Sequence, residues 1–210
     1  MGYQHDSRIV LSLDAGGTTF VFSAVQGNAE LVAPVTLPSM GGDLEACLGQ
    51  IRQGFEAVHQ ATQRRASALS FAFPGPADYP NGIIGDLFNL PGFRGGVALG
   101  PMLEDHFRLP VFINNDGDLF AYGEALAGLL PDINAQLEAA GSPKRYRNLL
   151  GLTFGTGFGG GIVRDGRLFM GDNSAAGEVW LLRNKLDRDC TAEEGVSIRA
   201  LRRAYAQAKG

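Results

Sequence analysis

Two strand–glycine-turn–strand units constrain this chain more than any other feature. Residues 8–14 (RIVLSLD) and 19–26 (TFVFSAVQ) alternate as half-buried strands do, and Ala15-Gly16-Gly17-Thr18 joins them. Residues 147–154 (RNLLGLTF) and 158–163 (FGGGIV) repeat the pattern around Gly155-Thr156-Gly157. Asp14 and Thr153 stand at corresponding points, 139 residues apart. A chain that opens twice in the same way reads as one plan used twice. Glycine supplies 30 of the 210 residues, about twice the usual share of roughly 7%. There are only 10 prolines and no short period, so collagen and low-complexity disorder are excluded. The glycines belong to turns and close backbone approaches.

The first copy continues as an α/β chain. Residues 29–36 (AELVAPVT) predict a third strand, at an edge because of Pro34. A helix follows from Asp43, its N-cap, to Thr62, with Leu44, Leu48, Ile51, Phe55 and Val58 on one face. ALSFAF, a short helix near 99–107, the strand PVFIN at 110–114 and a helix through GDLFAYGEALAGLL complete β-β-β-α-β-α-β-α by about residue 130. In the second copy, Asp165-Gly166 signals a hairpin into RLFM, and a helix over 194–208 carries Ile198, Leu201 and Tyr205 on one face. The second plan stops before its later strands, so the sequence predicts an incomplete second domain in a chain that is a fragment or is completed from elsewhere. The expected domains are 1–130 and 131–210.

Charge and composition narrow the function. Eighteen basic against 22 acidic residues leave no polycationic face for nucleic acid. No leader pattern or long apolar run predicts a membrane segment, and Asp6 stands where a myristoylation signal has Ser or Thr. Cys47 and Cys190 form no CxxC, as expected of free thiols in a reducing cytoplasm. The expectation is a soluble cytoplasmic protein with no nucleic-acid or membrane partner.

Several constellations could carry chemistry. In LSLDAGGTTF a strand delivers Asp14 to a glycine turn whose N–H groups can meet phosphate oxygens while the carboxylate faces Mg²⁺ or its water. The same residues also suit a tight hairpin in which Asp14 caps its own turn. In GLTFGTGFGGGIV, Gly155, Gly157 and Gly160 satisfy GxGxxG, yet a strand follows and not the helix a dinucleotide fold requires. No Gly-Lys pair exists for a Walker A loop. What remains is a second glycine hairpin, for phosphate or simply for turning. PVFINNDGDLFAYGE brings Asn115 and Asp116 to a strand's C-terminal end, where open α/β sheets bind ligands; a helix cap reads the same way. Asp116 could take a proton from a hydroxyl while Asn115 orients a sugar. Three loops, Pro74–Asp78, Asn89–Phe93 and Gly177–Trp180, mix polar with rigid or aromatic residues, as a sugar pocket does or as any turn does.

Taken together, DAGGT, FPGPAD, NNDGDLFAYGE, TFGTGFGGGIV and AAGEVW resemble the ROK family (repressor, open reading frame, kinase) of the actin/hexokinase superfamily, over about residues 8–202. The NNDGDLFAYGE segment is similar to the family's N-D-x-N-x-x-x-x-G-E. The resemblance implies duplicated actin/hexokinase-like (ribonuclease H-like) α/β domains around a cleft, the second incomplete. It implies ATP and Mg²⁺, with Asp14, Gly16, Gly17, Thr18, Gly155, Thr156 and Gly157 at the phosphates and Asp14 at the metal. It implies Asn89, Asn115, Asp116, Glu178 and Glu193 at the sugar, with Glu194 one register away from Glu193 and Asp116 as general base. Two departures are plain: Leu181 replaces the His of G-E-x-G-H, and the C-x-C-G-x-x-G-C-x-E zinc motif is missing. No structural zinc is therefore expected. The activity implied is ATP-dependent phosphorylation of a hexose or N-acetylhexosamine by a glucokinase-like homodimer. The alternative is a non-catalytic, sugar-sensing or regulatory protein. A repressor would need a DNA-binding helix-turn-helix upstream, where about seven residues stand before the first strand.

Overall fold

Strand β1 (Ile9–Ala15) buries Ile9, Leu11 and Leu13 on one face, the alternation its sequence predicts. The computed structural model describes residues 3–87 and 91–209 and divides into two units, Met1–Asn115 and Asp116–Gly210. In the first unit, β1 pairs antiparallel with β2 (Thr19–Gln26) and parallel with a later strand. The expected third strand is split into β3 (Ala29–Glu30) and β4 (Val35–Pro38), both beside β2. Pro34, with no N–H for the ladder, lies in the gap, and the edge position is as expected.

Helix α1 (Leu44–Ala61) starts where Asp43 Oδ1 accepts the Ala46 N–H at 3.1 Å. Its buried face carries Leu48, Ile51, Phe55 and Val58, and Gly54 leaves room for the Phe22 ring of β2. Strand β5 (Ala66–Ala72), the short hairpin of β6 (Ala77–Asp78) and β7 (Ile83–Ile84), helix α2 (Leu99–Phe107) and β8 (Val111–Asn114) complete this unit. The sheet order is β3-β2-β1-β5-β8, with β5 parallel to both β1 and β8. Phe22, Phe55, Phe71, Phe73 and Phe93 run through its core; successive rings lie 5.2–6.3 Å apart at tilted or edge-on angles.

The second unit opens with α3 (Asp116–Leu126) and α4 (Leu129–Ala139). The sequence predicts one helix across residues 117–130; the break falls at Gly128, where Glu124 Oε2 turns back to accept the Leu129 N–H at 2.8 Å. Strands β9 (Leu149–Phe154), β10 (Phe158–Arg164) and β11 (Arg167–Leu168) form an antiparallel sheet in the order β11-β10-β9. Asp165 and Gly166 both have positive φ, 50° and 74°, as a two-residue hairpin turn requires. The expected last helix is divided into α5 (Glu193–Val196) and α6 (Ile198–Lys209). Ile198, Leu201 and Tyr205, the face predicted to be apolar, are exposed.

Helix α3 packs on β9 and β10, so it belongs with the second sheet. The boundary between units therefore falls at 115/116, whereas strand-then-helix counting placed it at 130/131. Cys47 and Cys190 are free thiols. Among the described residues, no helix is long and apolar enough to cross a membrane.

Candidate active site

In the first unit the β1–β2 turn is closed by the Gly16 N–H on the Thr19 carbonyl at 3.0 Å. A Cβ on Gly16 would sit 2.7 Å from that same oxygen, so the turn closes only with glycine. Ser39, 2% exposed, fixes the rest: its N–H donates to Thr18 O at 3.0 Å and its hydroxyl to Gly17 O at 2.7 Å. In a trans peptide the N–H points opposite the carbonyl, so holding Gly17 O turns the Thr18 N–H the other way. Asp14, Gly17, Thr18 and Thr19 are exposed around it. An outward amide, a hydroxyl and a strand-end carboxylate form a donor set that fits a phosphate with its Mg²⁺. Sequence reasoning missed Ser39, because nothing local marks one serine in PSMGG as the support of a turn 21 residues earlier.

In the loops expected to line a sugar pocket in this unit, Asp78 and Phe93 have structural partners. Asp78 accepts from the Asn81 N–H and, at 2.7 Å, from its side-chain amide, capping a 3-10 turn. Phe93 is fully buried against Phe73. Asn89 lies outside the described residues. Asn115, half-buried, follows β8, with its N–H on Asn114 Oδ1 at 2.8 Å.

In the second unit Asp116 opens α3, exposed, with Oδ1 accepting the Gly117 N–H at 2.9 Å. The first turn of α3 lies on β10 with no side chain between them. A Cβ on Gly161 would stand 2.7 Å from Asp118 Cα and 2.8 Å from Gly117 O. Gly177 is as tight, with Gly160 O at 2.4 Å and Asp118 Oδ1 at 3.0 Å from a built Cβ. The glycine run therefore has two uses: Gly155 and Gly157 make the turn, and Gly161 seats the helix carrying Asp116. Glu178 follows Gly177, half-buried, and its Oε2 accepts the Trp180 indole N–H. Leu181, at the position of the missing His, is 56% exposed.

The β9–β10 turn is held by its Gly155 N–H on Gly157 O at 3.0 Å. Glu193 comes to this turn. Its Oε2 accepts the Phe158 N–H at 2.9 Å, and its Oε1 pairs with Arg199 at 2.7 Å. The Ile198 N–H adds a bond to Gly155 O at 2.9 Å. Sequence reasoning placed Glu193 at the sugar; its observed partners belong to the second glycine turn and to α6. Thr156 is exposed at the tip.

Asp118, absent from the sequence-derived candidates, is 3% exposed. Burial, then the charges of Glu178 and Asp116, raises its pKa to about 6. Among the described residues, no three His, Cys, Asp or Glu side chains gather into a metal centre.

The model of the ROK family matches residues 10–191. The N-acetyl-D-glucosamine kinase of Vibrio cholerae is 31% identical over 174 residues, 83% of this chain and 52% of that relative. The glucokinase of Halalkalibacterium halodurans is 29% identical over 176 residues, 82% and 49% of the two chains. A crystal structure of glucokinase from Parabacteroides distasonis superposes with a TM-score of 0.92 at 61% identity, covering 99% of this chain and 59% of that one. The chain thus spans about half the length of the curated relatives it matches.

Proposed function

Because the chain belongs to the ROK family, we propose that it serves an ATP-dependent sugar kinase, with Asp116 as general base. The observation that carries this reading is the setting of Asp116: an exposed carboxylate on the first turn of a helix seated directly on β10. A base so held keeps its position, and Oδ1 is already occupied by the Gly117 N–H. Oδ2 then takes the proton of the sugar hydroxyl as that hydroxyl attacks the γ-phosphoryl group. Asn115, Glu178 and Asn89 are assigned to hold and orient the sugar. Glu193 joins them from the second glycine turn, which it also braces through Phe158.

The two glycine turns are assigned to the nucleotide phosphates. Gly17 and Thr18 offer backbone donors and a hydroxyl at one, and Thr156 and Gly157 offer the same at the other, while Gly16 and Gly155 close the two turns through their own N–H groups; Asp14 is assigned to the metal. Mg²⁺, when bound, spreads the negative charge of the phosphoryl group. The 61% identity to a glucokinase supports glucose as acceptor, with N-acetylglucosamine the competing choice suggested by the relatives' names. A homodimer in the cytoplasm completes the proposal, and sedimentation of the purified chain reads the former.

The test is a coupled assay with ATP, Mg²⁺ and either sugar, on a chain with a complete second domain and on its Asp116→Asn variant. The substitution keeps size and hydrogen bonding but removes the proton acceptor. The expected result is kcat lowered about 10²–10⁴-fold with sugar affinity little changed. Glu178→Gln is expected to weaken sugar binding instead. Near-normal kcat in Asp116→Asn would reduce Asp116 to a helix cap. Leu181 in place of His favours one competing outcome, sugar binding with no turnover, which would make the protein a sensor.

A further inference from the structure

We propose that Asp118 is a positioning residue of this site, a carboxyl enclosed between the first turn of α3 and the Gly177–Glu178 turn whose charge sets the negative potential at Asp116. The inference rests on the kinase reading above and deepens it.

Three observations carry it. First, Asp118 is 3% exposed, on the helical turn that bears Asp116. Second, the space it fills is defined by missing side chains. The strand beneath presents Gly161 against its Cα, and Gly177 on the facing turn approaches its Oδ1. Two acidic groups face it, Asp116 from its own helix and Glu178 from the opposite turn. Third, NNDGDLFAYGE departs from N-D-x-N-x-x-x-x-G-E at this residue: Asp118 stands where the pattern has Asn. An amide of the same shape would occupy the slot without the cost of burying a charge beside two others. A carboxyl kept where the amide is less costly argues for a use of its charge.

Its raised pKa, about 6, puts the charge change between weakly acid and neutral pH. Once ionised, Asp118 adds a third negative charge beside the group that receives the sugar's proton. The proton leaving the hydroxyl then moves toward a more negative potential, and transfer is faster. With Asp118 protonated, that help is gone.

The test compares the chain with Asp118→Asn, which fixes the neutral state. In carboxyl-carbon NMR of aspartate- and glutamate-labelled protein, one resonance should titrate near pH 6 and vanish in the variant. Asp116 and Glu178 should show inflections near pH 6 that vanish with it. A carboxyl titrating near pH 4 at Asp118, or no such inflections, overturns the proposal. The second arm is kcat against pH with ATP, Mg²⁺ and glucose. Wild type should exceed the variant several-fold at pH 7.5, with the two rates converging by pH 5. A ratio constant with pH would mark a merely structural role and overturn the proposal. If a chain with a complete second domain turns over no sugar while the NMR coupling is present, the kinase reading fails and the charge coupling stands.

Discussion

At the scale of single residues, buried polar groups separate stability from function. Asp118 has a folded-state pKa raised above its ordinary value, so its proton is held more tightly in the folded chain than in the unfolded one. Its favourable contribution is present at acid pH and is lost as pH rises through about 6. A carboxyl raised from 3.8 to about 6 loses at most about 3 kcal/mol of stability once it is ionised. Urea denaturation should therefore find Asp118→Asn more stable than wild type at pH 7, with the two converging near pH 4; equal stability at pH 7 would show that the buried charge costs nothing. His59 is a second case, with a different cause. It is buried on α1 against Phe107, and neither ring nitrogen has a hydrogen-bond partner. An apolar ring avoids that desolvation, so His59→Phe should stabilise the first unit by about 1–2 kcal/mol. A loss of that size would instead reveal a partner for the imidazole, such as a buried water.

At the scale of elements, what could be read in the sequence depended on whether the signal was local. Helix α1 was legible because its cap, Asp43, and its three- and four-residue apolar steps both lie within the segment. The glycine turns were legible for the same reason. The seat of α3 was not: its period predicts a helix but cannot say which sheet the helix lies on. That answer is carried by Gly161 and Gly177, far along the chain, and read locally they belong to a glycine loop and a turn. Ser39 and Glu193 are likewise defined by the backbone groups they bind, which no sequence window contains. These placements can be tested by substitution. Gly161→Ala puts a methyl within 2.8 Å of the α3 backbone and should cost about 1–3 kcal/mol in denaturant titration. Ser39→Ala removes one buried hydrogen bond, worth about 1 kcal/mol, and frees Gly17 O. If the turn serves phosphate, nucleotide affinity should fall more than stability does; an unchanged nucleotide Kd would detach Ser39 from the site.

At the scale of the whole molecule, the two units differ in how much apolar surface each encloses. The first buries the phenylalanine series Phe20, Phe22, Phe55, Phe71, Phe73 and Phe93 along with the leucines and isoleucines of β1, α1 and α2. The second encloses a core of Ala121, Ala125, Leu130 and Val163, while Leu150, Phe154, Leu182 and Leu201 stay exposed. Burying a Phe or Leu side chain is worth about 1.5–3 kcal/mol, and alanine offers much less area, so the two cores cannot be equally stable. Opening free energy should follow the same order. Hydrogen exchange is therefore expected to find the slowest amides on β1, β5 and α1, and fast exchange on β9, β10 and α6. Limited proteolysis should cut first beyond residue 115 and leave a resistant N-terminal piece of about that length, because cleavage follows the population of open states. Saturating glucose and nucleotide, if they bind residues of the second unit, should slow those cuts in proportion to ligand concentration over Kd. Equal protection in both units without ligand would mean that the exposed leucines and phenylalanines of the second unit are covered in solution, and this ordering of stabilities would then fail.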